Sequence, residues 1–503
     1  METEKINIGP TEKPTAAEVL VFLAKLHYEF IRTVENDFLA VPLSGPKIAK
    51  NLRGSQNSLG DDLMRRYRDY TGKVPSERAV NDAIRVIMSD ASSLDAVPTY
   101  LRYAKIDGKI FIDLGDATGE AIQVTPNGWS FIERPPVYFR RTALTAPFPR
   151  PISGGDINQL FEIVNVPKQL EGLIVGFLIS SMDESIPHPI PAVNGEQGSG
   201  KTSFCQKLSA LIDPSPVPVQ SPPKDVGALQ EIAAGAYVIS LDNLSRYSDS
   251  LSDGLCRLVS GDGVVRRKLY EDKDHVIFKF KRVVILNGIN LTEMRDDLAD
   301  RVIPLHLPTI SSEQRKSDSG LEAQWVEIFP QVFGALLELC CQVLRTLPTV
   351  NLKSMPRMAD FARYLAALDE IRGTDSLPQY LKEIGKSASN AIDTDSFLKA
   401  LEKHLSGTWT GTASELKDEL NKYAPLEFDK SWPNNAKQVT EKLARTAPTL
   451  RKAGWIVEDL GSNNHSNVRK WVITPAASHA SQFFYLGTQR EIEKEESAGF
   501  GKF

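Results

Sequence analysis

A glycine-rich stretch between two apolar runs constrains the fold of this chain more than any other feature. Residues 194–202, Asn-Gly-Glu-Gln-Gly-Ser-Gly-Lys-Thr, fit the pattern G-x-x-x-x-G-K-[ST] of a phosphate-binding loop. Glycines let backbone N–H groups converge on an anion, because side chains there would block the approach. We expect Lys201 to reach the β- and γ-phosphates of a nucleotide and the Thr202 hydroxyl to hold Mg²⁺.

The flanking sequence supports this interpretation. Residues 188–193 predict a strand that enters the loop, and 203–212 have the apolar spacing of a helix. A helix beginning here would direct its positive N-terminal end at the phosphates. The alternative is a structural glycine-rich turn. The predicted ATP-binding residues are Gly195, Glu196, Gln197, Gly198, Ser199, Gly200, Lys201, Thr202 and Ser203.

Length and composition limit the remaining possibilities. A chain of 503 residues is too long for one core and predicts about three domains. The net charge of −5 gives no overall basic surface, so nucleic-acid contacts must depend on local patches. The four cysteines form no C-x-x-C, and the N-terminus lacks an apolar signal core. Since the apolar runs are also too short and interrupted to span a bilayer, we expect a reduced, cytoplasmic protein without membrane contact.

The first 150 residues predict two regions. Residues 1–95 are mainly helical, with helical patterns at 16–34, 61–70 and 77–89. Residues 96–150 contain five short alternating runs, the last at 137–141, separated by turn residues, which predicts a β-meander. Arg65, Arg66 and Arg68 lie beside Tyr67 and Tyr70, so this stretch is either a solvated helix flank or a DNA-contacting face.

Two further apolar runs end in polar residues that suit the chemistry of a nucleoside triphosphate. Residues 237–242 predict a buried strand ending at Asp242, whose carboxylate would accept hydrogen bonds from Mg²⁺-bound water. Residues 282–287 predict a second strand ending at Asn287, whose amide could orient the attacking water. Thr202 and Asp242 are therefore the predicted metal-site residues.

The segment between these strands carries a cluster of cations. Residues 261–280 predict a β-hairpin with its turn near 271–274. It is either a solvated hairpin or a basic loop that projects into a nucleic-acid channel. The candidate DNA-binding cations are Arg266, Arg267, Lys268 and Lys273.

Arg301 follows the second strand and completes the predicted catalytic set of Lys201, Asp242, Asn287 and Arg301. A guanidinium here could reach the γ-phosphate bound to a neighbouring subunit and offset the charge that builds in the transition state. The alternative is an ion pair with Asp297 or Asp300.

The order of these parts resembles the ATPase core of superfamily 3 helicases, which are AAA+-type motors. Over about residues 100–475, segments such as 242–245, 286–289 and 297–301 also resemble the "ATP-binding proteins" of prophages and mobile elements. The resemblance implies that Lys201, Thr202 and Asp242 bind ATP and Mg²⁺, that Asn287 senses phosphate and that Arg301 is an arginine finger. It also implies a ring, most simply a homohexamer, that translocates on single-stranded or forked DNA.

Asn243 departs from the pattern of many AAA+ proteins, in which a glutamate general base follows the aspartate. Asp242 or another carboxylate such as Glu196 then polarises the water, or hydrolysis is slow. No paired-carboxylate motif marks a primase in residues 1–150, so a separate primase or polymerase partner is plausible.

The C-terminal third predicts a helical collar or lid at 312–405, a winged helix at 406–475 and a flexible tail at 476–503. The order helix, helix, strand, polar loop, strand is typical of a winged helix, which binds either DNA or protein. Its positive local charge fits contacts with the DNA backbone. The candidate cations are Lys437, Lys442, Arg445, Arg451, Lys452, Arg469 and Lys470.

The predicted architecture is thus an α/β P-loop core of AAA+/superfamily 3 type at 151–311, with an N-terminal α+β region and the two C-terminal regions described above. The leading functional hypothesis is an ATP-dependent DNA helicase, translocase or replication-initiation ATPase of a phage or mobile element. The alternative is a nucleotide-gated DNA-binding switch or scaffold, such as a loader, partition or defence ATPase, without unwinding activity. A P-loop kinase is a weaker third hypothesis, because nothing in the sequence supplies an acceptor pocket.

Overall fold

The computed structural model describes residues 13–53, 58–244, 248–261, 264–267, 275–278, 281–288, 296–352, 354–425, 429, 432–462 and 469–476. Two compact units divide the chain. The first comprises Met1–Ile289 and Leu305–Leu377, and the second comprises Asn290–Pro304 and Pro378–Phe503. The second unit therefore takes a short insert from the middle of the sequence.

The N-terminal part of the first unit packs three helices against a four-stranded sheet of order β3-β2-β1-β4. The helical pattern predicted over 16–34 is only half correct, because α1 ends at His27 and β1 begins at Tyr28. β1 is rich in aromatic and β-branched residues and pairs antiparallel with β2, so sheet formation overrides the helical spacing. The bounds are α1 Ala16–His27, β1 Tyr28–Thr33, β2 Phe38–Pro42, β3 Lys50–Asn51, α2 Leu59–Thr71, α3 Glu77–Ser92 and β4 Ala96–Val97.

A second antiparallel sheet follows in the order β6-β7-β8-β9, which is the predicted meander. The fifth predicted run does not join it, because β10 pairs in parallel with β5 and forms a separate two-stranded sheet. The bounds are β5 Thr99–Tyr100, β6 Tyr103–Ile106, β7 Lys109–Asp113, β8 Ala121–Thr125, β9 Gly128–Ile132 and β10 Tyr138–Phe139.

Arg102 anchors this meander to the central domain of the first unit. Its guanidinium is buried and donates to Asp213 Oδ1 at 2.7 Å, as well as to backbone carbonyls of Asp113, Ala146 and Pro214. Asp213 in turn accepts from the backbone N–H of Tyr237 at 3.1 Å. The meander is thereby part of the same compact unit as the central domain.

The central sheet has the strand order β12-β15-β11-β16. β15 pairs in parallel with both β11 and β12, so these three strands end at one common edge. Between β12 and β15 in sequence, β13 and β14 form the predicted antiparallel hairpin. The bounds are α4 Glu171–Ser180, β11 Ile190–Asn194, α5 Lys201–Ile212, α6 Val226–Gly235, β12 Val238–Leu241, α7 Asp249–Ser260, β13 Val264–Arg267, β14 His275–Phe278, β15 Val283–Asn287, α8 Asp296–Ala299 and β16 Val302–His306.

Two helices of the predicted lid, α9 (Asp318–Thr346) and α10 (Ala359–Arg372), belong to the first unit and pack with α4. Among the described residues, α9 is long and apolar enough to cross a membrane, but 61% of its most apolar 18 residues are buried inside the fold. Buried core helices share this length and composition, so α9 alone is a weak indication of a membrane span.

The second unit contains the other two lid helices and the predicted C-terminal domain around one apolar core. The capping box at the start of α13 is present, since Thr412 and Glu415 each accept from the backbone N–H of the other. The three-stranded sheet has the order β17-β19-β18, and its strand β17 was not predicted. The bounds are α11 Ser376–Thr394, α12 Ser396–His404, β17 Trp409–Thr412, α13 Ala413–Leu420, α14 Ala436–Lys452, β18 Ile456–Ser462 and β19 Arg469–Thr474.

A candidate nucleotide site at the edge of the central sheet

The predicted phosphate loop joins β11 to α5 at the edge where the parallel strands end. Gly198 and Gly200 adopt φ angles of 81° and 82°, in the left-handed region that glycine enters without strain. Gly200 is the N-cap of α5, and no side chain caps the helix there. The first N–H groups of α5 consequently remain available to an anion.

Lys201 folds back over the loop. Its Nζ donates to the carbonyl oxygens of Gly195 at 2.9 Å and Glu196 at 2.8 Å. These contacts hold the ammonium group at the mouth of the loop, where an incoming phosphate would compete with the two carbonyls for it.

Three predicted residues meet beside Lys201. Thr202 Oγ1 donates to Asp242 Oδ2 at 3.1 Å. Asn287 Nδ2 donates to Asp242 Oδ1 and lies 3.4 Å from Thr202 Oγ1. The structure therefore places Thr202, Asp242 and Asn287 together, although they are far apart in sequence.

The strand order explains how these residues meet. Asp242 follows β12 and Asn287 ends β15, and the two strands are parallel neighbours. Asn287 is almost completely buried, and its Oδ1 has no hydrogen-bond partner. An orphaned buried acceptor of this kind is uncommon and is often associated with function.

Asn243, the residue that replaces the usual glutamate, has a φ of 55°. Its backbone N–H donates to Asp242 Oδ1 at 2.8 Å, and Leu244 N donates to Asn287 O at 2.9 Å. The turn after β12 is thus fixed by its own backbone, and asparagine tolerates this left-handed geometry better than most residues.

Glu196, the alternative candidate for a general base, is engaged elsewhere. Its Oε2 accepts from Thr309 Oγ1 at 3.0 Å, while its backbone carbonyl accepts from Ser199 Oγ at 2.9 Å. The carboxylate is therefore held against the chain that follows β16, and its role as a base stays a prediction.

Sequence reasoning missed the residues that cover the loop. Asn165 Nδ2 donates to Ser199 O at 3.0 Å and to Pro308 O at 2.5 Å, which links the loop to the segment after β16. Arg315, from the same segment, lies against Gly198. Neither residue belongs to a local pattern, so no sequence signal identified them.

Arg301 lies just after α8 in the second unit. Its Nη1 donates to the backbone carbonyl of Asp297 at 2.7 Å and to Asp297 Oδ1 at 2.6 Å. Within one chain, the alternative ion pair with Asp297 is thus present. The function of Arg301 as a finger toward another subunit stays a prediction.

The hairpin cations are only partly described. Arg266 and Arg267 lie on β13, paired with Val276 and His275 of β14. Lys268 and Lys273 lie outside the described residues. The hairpin itself is confirmed, and its contact with DNA stays a prediction.

The C-terminal cations separate into two groups. Lys437, Arg445 and Lys470 are exposed, and Arg469 is exposed while pairing with Asp459 at 2.7 Å. Lys442 lies on the buried face of α14 and pairs with Asp395 at 2.5 Å, so its prediction as a DNA contact is corrected. Helical geometry explains the difference, because position 442 shares a face with the core residues Val439 and Leu443.

Two more cations of this unit also have internal partners. Arg451 donates to the backbone carbonyl of Val457 at 2.6 and 2.9 Å, and Lys452 pairs with Asp300. Both side chains therefore help to hold the second unit together.

The arrangement fits ATP with Mg²⁺. A hydroxyl, a carboxylate and an amide oxygen at Thr202, Asp242 and Asn287 are hard oxygen groups of the kind that Mg²⁺ and its bound waters prefer. The open helix N-terminus and the ammonium of Lys201 suit a polyphosphate. Among the described residues, no three His, Cys, Asp or Glu side chains form another metal cluster.

Comparison with known proteins shows that the chain is a replication protein of a mobile element. More particularly, residues 157–387 match the family described as "Actinomycete integrative conjugative element replication protein". Residues 397–489 match the "AICE RepA C-terminal domain". Two separate stretches of the chain are therefore similar to that replication protein, and the predicted mobile-element role in replication is confirmed.

Comparisons with individual proteins give less information about the fold and function of this chain. No curated protein matches the sequence. An apo structure of the NrS-1 C-terminal region (residues 305–718) is 9% identical with a TM-score of 0.40 and covers 92% of this chain and 99% of that one. Another apo structure of that region is 11% identical with a TM-score of 0.36 and the same coverage. Similarity this low decides neither the fold nor the function, and the superfamily 3 assignment stays a prediction.

Proposed function

We propose that this replication protein is an ATP-hydrolysing DNA helicase or translocase that acts at the initiation of replication. The observation that carries the proposal is the cluster of Thr202, Asp242 and Asn287 beside an uncapped, glycine-rich helix N-terminus. A structural glycine-rich turn would need neither the polar cluster nor the unpartnered amide oxygen of Asn287.

Each residue of the cluster has a role in this proposal. Lys201 and the N–H groups of α5 bind the phosphates, while Thr202 and Asp242 hold the metal through oxygen atoms. When bound, Mg²⁺ would neutralise charge on the phosphate oxygens. Asn287, fixed against Asp242, orients the attacking water with its amide. In an assembly of several copies, Arg301 supplies positive charge to the site of a neighbouring subunit.

DNA contact in the proposal depends on two surfaces. The hairpin β13–β14 carries Arg266 and Arg267 on one strand, and the second unit exposes cations on α14 and β19. Phosphate neutralisation by such cations gives affinity without sequence preference. A ring of several copies, most simply a hexamer around DNA, would combine these contacts, and a separate primase or polymerase would supply synthesis.

The test is ATP turnover by the full chain with and without single-stranded and forked DNA. We expect DNA to stimulate turnover, Lys201→Ala to abolish it, and Lys224→Ala, which changes an exposed lysine outside the loop, to leave it unchanged. Turnover indifferent to DNA would overturn the motor, and unchanged turnover in Lys201→Ala would overturn the site.

The alternative function is a nucleotide-gated DNA-binding switch. The residue after Asp242 favours it, since Asn243 provides no carboxylate and is fixed by its backbone. A strand-displacement assay at saturating ATP separates the two functions. A motor unwinds forked DNA, whereas a switch binds DNA in a nucleotide-dependent manner and leaves the duplex intact.

A further inference from the structure

We propose that Arg315 is a second phosphate-binding cation of the nucleotide site, contributed by the same chain as Lys201. It lies on residues 307–316, which we call the covering segment because they cross over the phosphate loop. The proposal rests on the function proposed above and adds a residue that the phosphate-loop motif does not contain.

The first residues of the covering segment are bonded to the loop and its surroundings. Leu307 N donates to Asn194 O at 2.9 Å, and Pro308 O accepts from Asn165. Thr309 holds the carboxylate of Glu196. These contacts are all within the first unit, so the segment and the loop belong to the same compact body.

Close packing continues toward the nucleotide-facing glycines. A Cβ atom at Gly200 would lie 3.4 Å from Ile310 Cδ1, and one at Gly195 would lie 2.6 Å from Leu307 O. The loop glycines thus serve two purposes: they adopt their backbone angles and they admit the covering segment.

Arg315 reaches the loop at its second glycine, Gly198. A Cβ atom at Gly198 would lie 2.8 Å from Arg315 Nη2 and 3.8 Å from its Cζ, so the guanidinium rests where a side chain would otherwise stand. Arg315 is exposed, and within the described part of the chain no hydrogen bond or ion pair involves it. The covering segment therefore presents an unneutralised cation at the phosphate loop.

The chemistry suits a phosphate. A guanidinium offers several N–H donors in a planar fork and binds phosphate oxygens in a bidentate manner. Lys201 Nζ donates to the loop carbonyls of Gly195 and Glu196, and Arg315 lies against Gly198. A polyphosphate entering the loop would contact both cations. Arg315 would not have to break an existing hydrogen bond or ion pair with a described residue to bind it.

The next residue provides a matched control. Lys316 Nζ donates to Glu162 O at 3.4 Å and lies 3.2 Å from Gln324 Oε1. It is a cation on the same segment, also exposed, with contacts that do not involve the loop.

The experiment measures the Kd of a fluorescent ATP analogue for the full chain by equilibrium titration at several salt concentrations. We expect Arg315→Ala to raise Kd roughly ten-fold, which corresponds to about 1.4 kcal/mol, and Arg315→Lys to recover part of the loss. The dependence of Kd on salt should also weaken in Arg315→Ala, because one charge contact is gone. Lys316→Ala should keep Kd within two-fold of the wild type.

Two results would overturn the assignment: an Arg315→Ala protein that binds the analogue as tightly as the wild type, or one with lower affinity but unchanged salt dependence. The second result would show that Arg315 only shapes the segment. If the folded wild-type protein binds no ATP analogue, the proposed function itself fails, so the two failures are distinguishable.

Discussion

Asp242 accepts hydrogen bonds from other polar groups of the candidate site. Its two carboxylate oxygens accept hydrogen bonds from Thr202, Asn287 and the backbone of Asn243. These donors fix the orientation of the carboxylate before any ligand arrives. Preorganised polar groups of this kind need little rearrangement when charge develops in a reaction.

Asn287→Ala should separate binding from turnover. The amide contacts Asp242 and Thr202, whereas in the proposed function Lys201 and the N–H groups of α5 hold the phosphates. We expect ATP turnover to fall by about 10²–10³-fold, as for loss of one preorganised donor, with the Kd of ATP changed by less than about three-fold. Steady-state kinetics and equilibrium titration check this, and an equal loss in both quantities would assign Asn287 to binding instead.

Arg102→Ala should destabilise the first unit strongly. The guanidinium is 1% exposed, and its removal leaves the carboxylate of Asp213 buried with its charge uncompensated. Breaking such a pair from one side costs about 3–5 kcal/mol. Urea unfolding measures the change. The control is Arg78→Ala. Arg78 pairs with Asp82 at 3.9 Å and its side chain is 93% exposed, so we expect its loss to lower the free energy of unfolding by at most ~0.5 kcal/mol.

His188 should make the stability of the first unit depend on pH. Burial lowers the pKa of this histidine from 6.5 to about 4, an effect opposed by Asp183 and supported by Lys281. The folded state therefore holds His188 neutral while the unfolded chain takes up a proton. Stability is complete above pH 6.5 and is lost as the pH falls from there toward 4.

Between pH 7 and 5 this loss is about 2 kcal/mol by linkage. The measurement is the free energy of unfolding in urea at both pH values, for the wild type and for His188→Gln. We expect the variant to lose most of the pH dependence, whatever its stability at pH 7. An unchanged pH dependence would mean that other groups cause it.

At the scale of the element, α14 has two faces with different tasks. Val439, Leu443 and Leu450 pack into the core of the second unit, and Lys442 is buried beside them with Asp395. The exposed face carries Lys437, whose side chain is 86% exposed, and Arg445. Only this second face can meet DNA without unfolding the helix.

Substitutions on the two faces should therefore change different properties, DNA binding on the exposed face and stability on the buried one. The double variant Lys437→Ala/Arg445→Ala should weaken DNA binding roughly ten-fold at moderate salt, reduce its salt dependence and leave thermal stability nearly unchanged. Lys442→Met should lower the Tm of the second unit, because the carboxylate of Asp395 loses its ion-pair partner. Fluorescence anisotropy with labelled DNA and thermal melting measure these effects. Equal DNA affinity in the double variant and the wild type would exclude this face.

At the scale of the whole molecule, the short segment Asn290–Pro304 belongs to the second compact unit, although in sequence it lies between the two parts of the first unit. It carries α8 and Arg301, and Asp300 pairs with Lys452 at the end of α14. The predicted arginine finger thus belongs to the same unit as the C-terminal cations, and in the proposed function this ion pair would link DNA contact to the finger.

Lys452→Met tests this attachment. Loss of the ion pair should loosen the region around Asp300 and Arg301, so we expect ATP turnover in the presence of DNA to fall several-fold while the Kd of ATP stays within about two-fold. Lys403→Met, an exposed lysine of the same unit, is the control. Turnover equal to that of the wild type would show that the pair is only structural.

Local pattern predicted much of the fold and the site. The strand, loop and helix around Lys201 were predictable because glycine spacing and apolar runs act within a few residues of each other. Asp242 and Asn287 were predictable because a polar residue that ends a buried strand is visible in sequence, and parallel pairing brings such ends together. The hairpin and the capping box at Thr412 were predictable for the same local reasons.

Long-range pairing decided the rest. Tyr28–Thr33 has helical spacing but forms a strand, because it pairs with β2. The run at Tyr138–Phe139 does not join the meander, because it pairs with the more distant strand β5. Lys442 is buried because the core of the second unit covers that face of α14.

The sequence by itself thus determined the phosphate loop and the polar strand ends, whose geometry follows from adjacent residues. Only the tertiary structure decided that Asn165 and Arg315 cover the loop. The position of Arg315 and of Pro308, the partner of Asn165, depends on how the chain returns after β16, and no spacing within the sequence encodes that return.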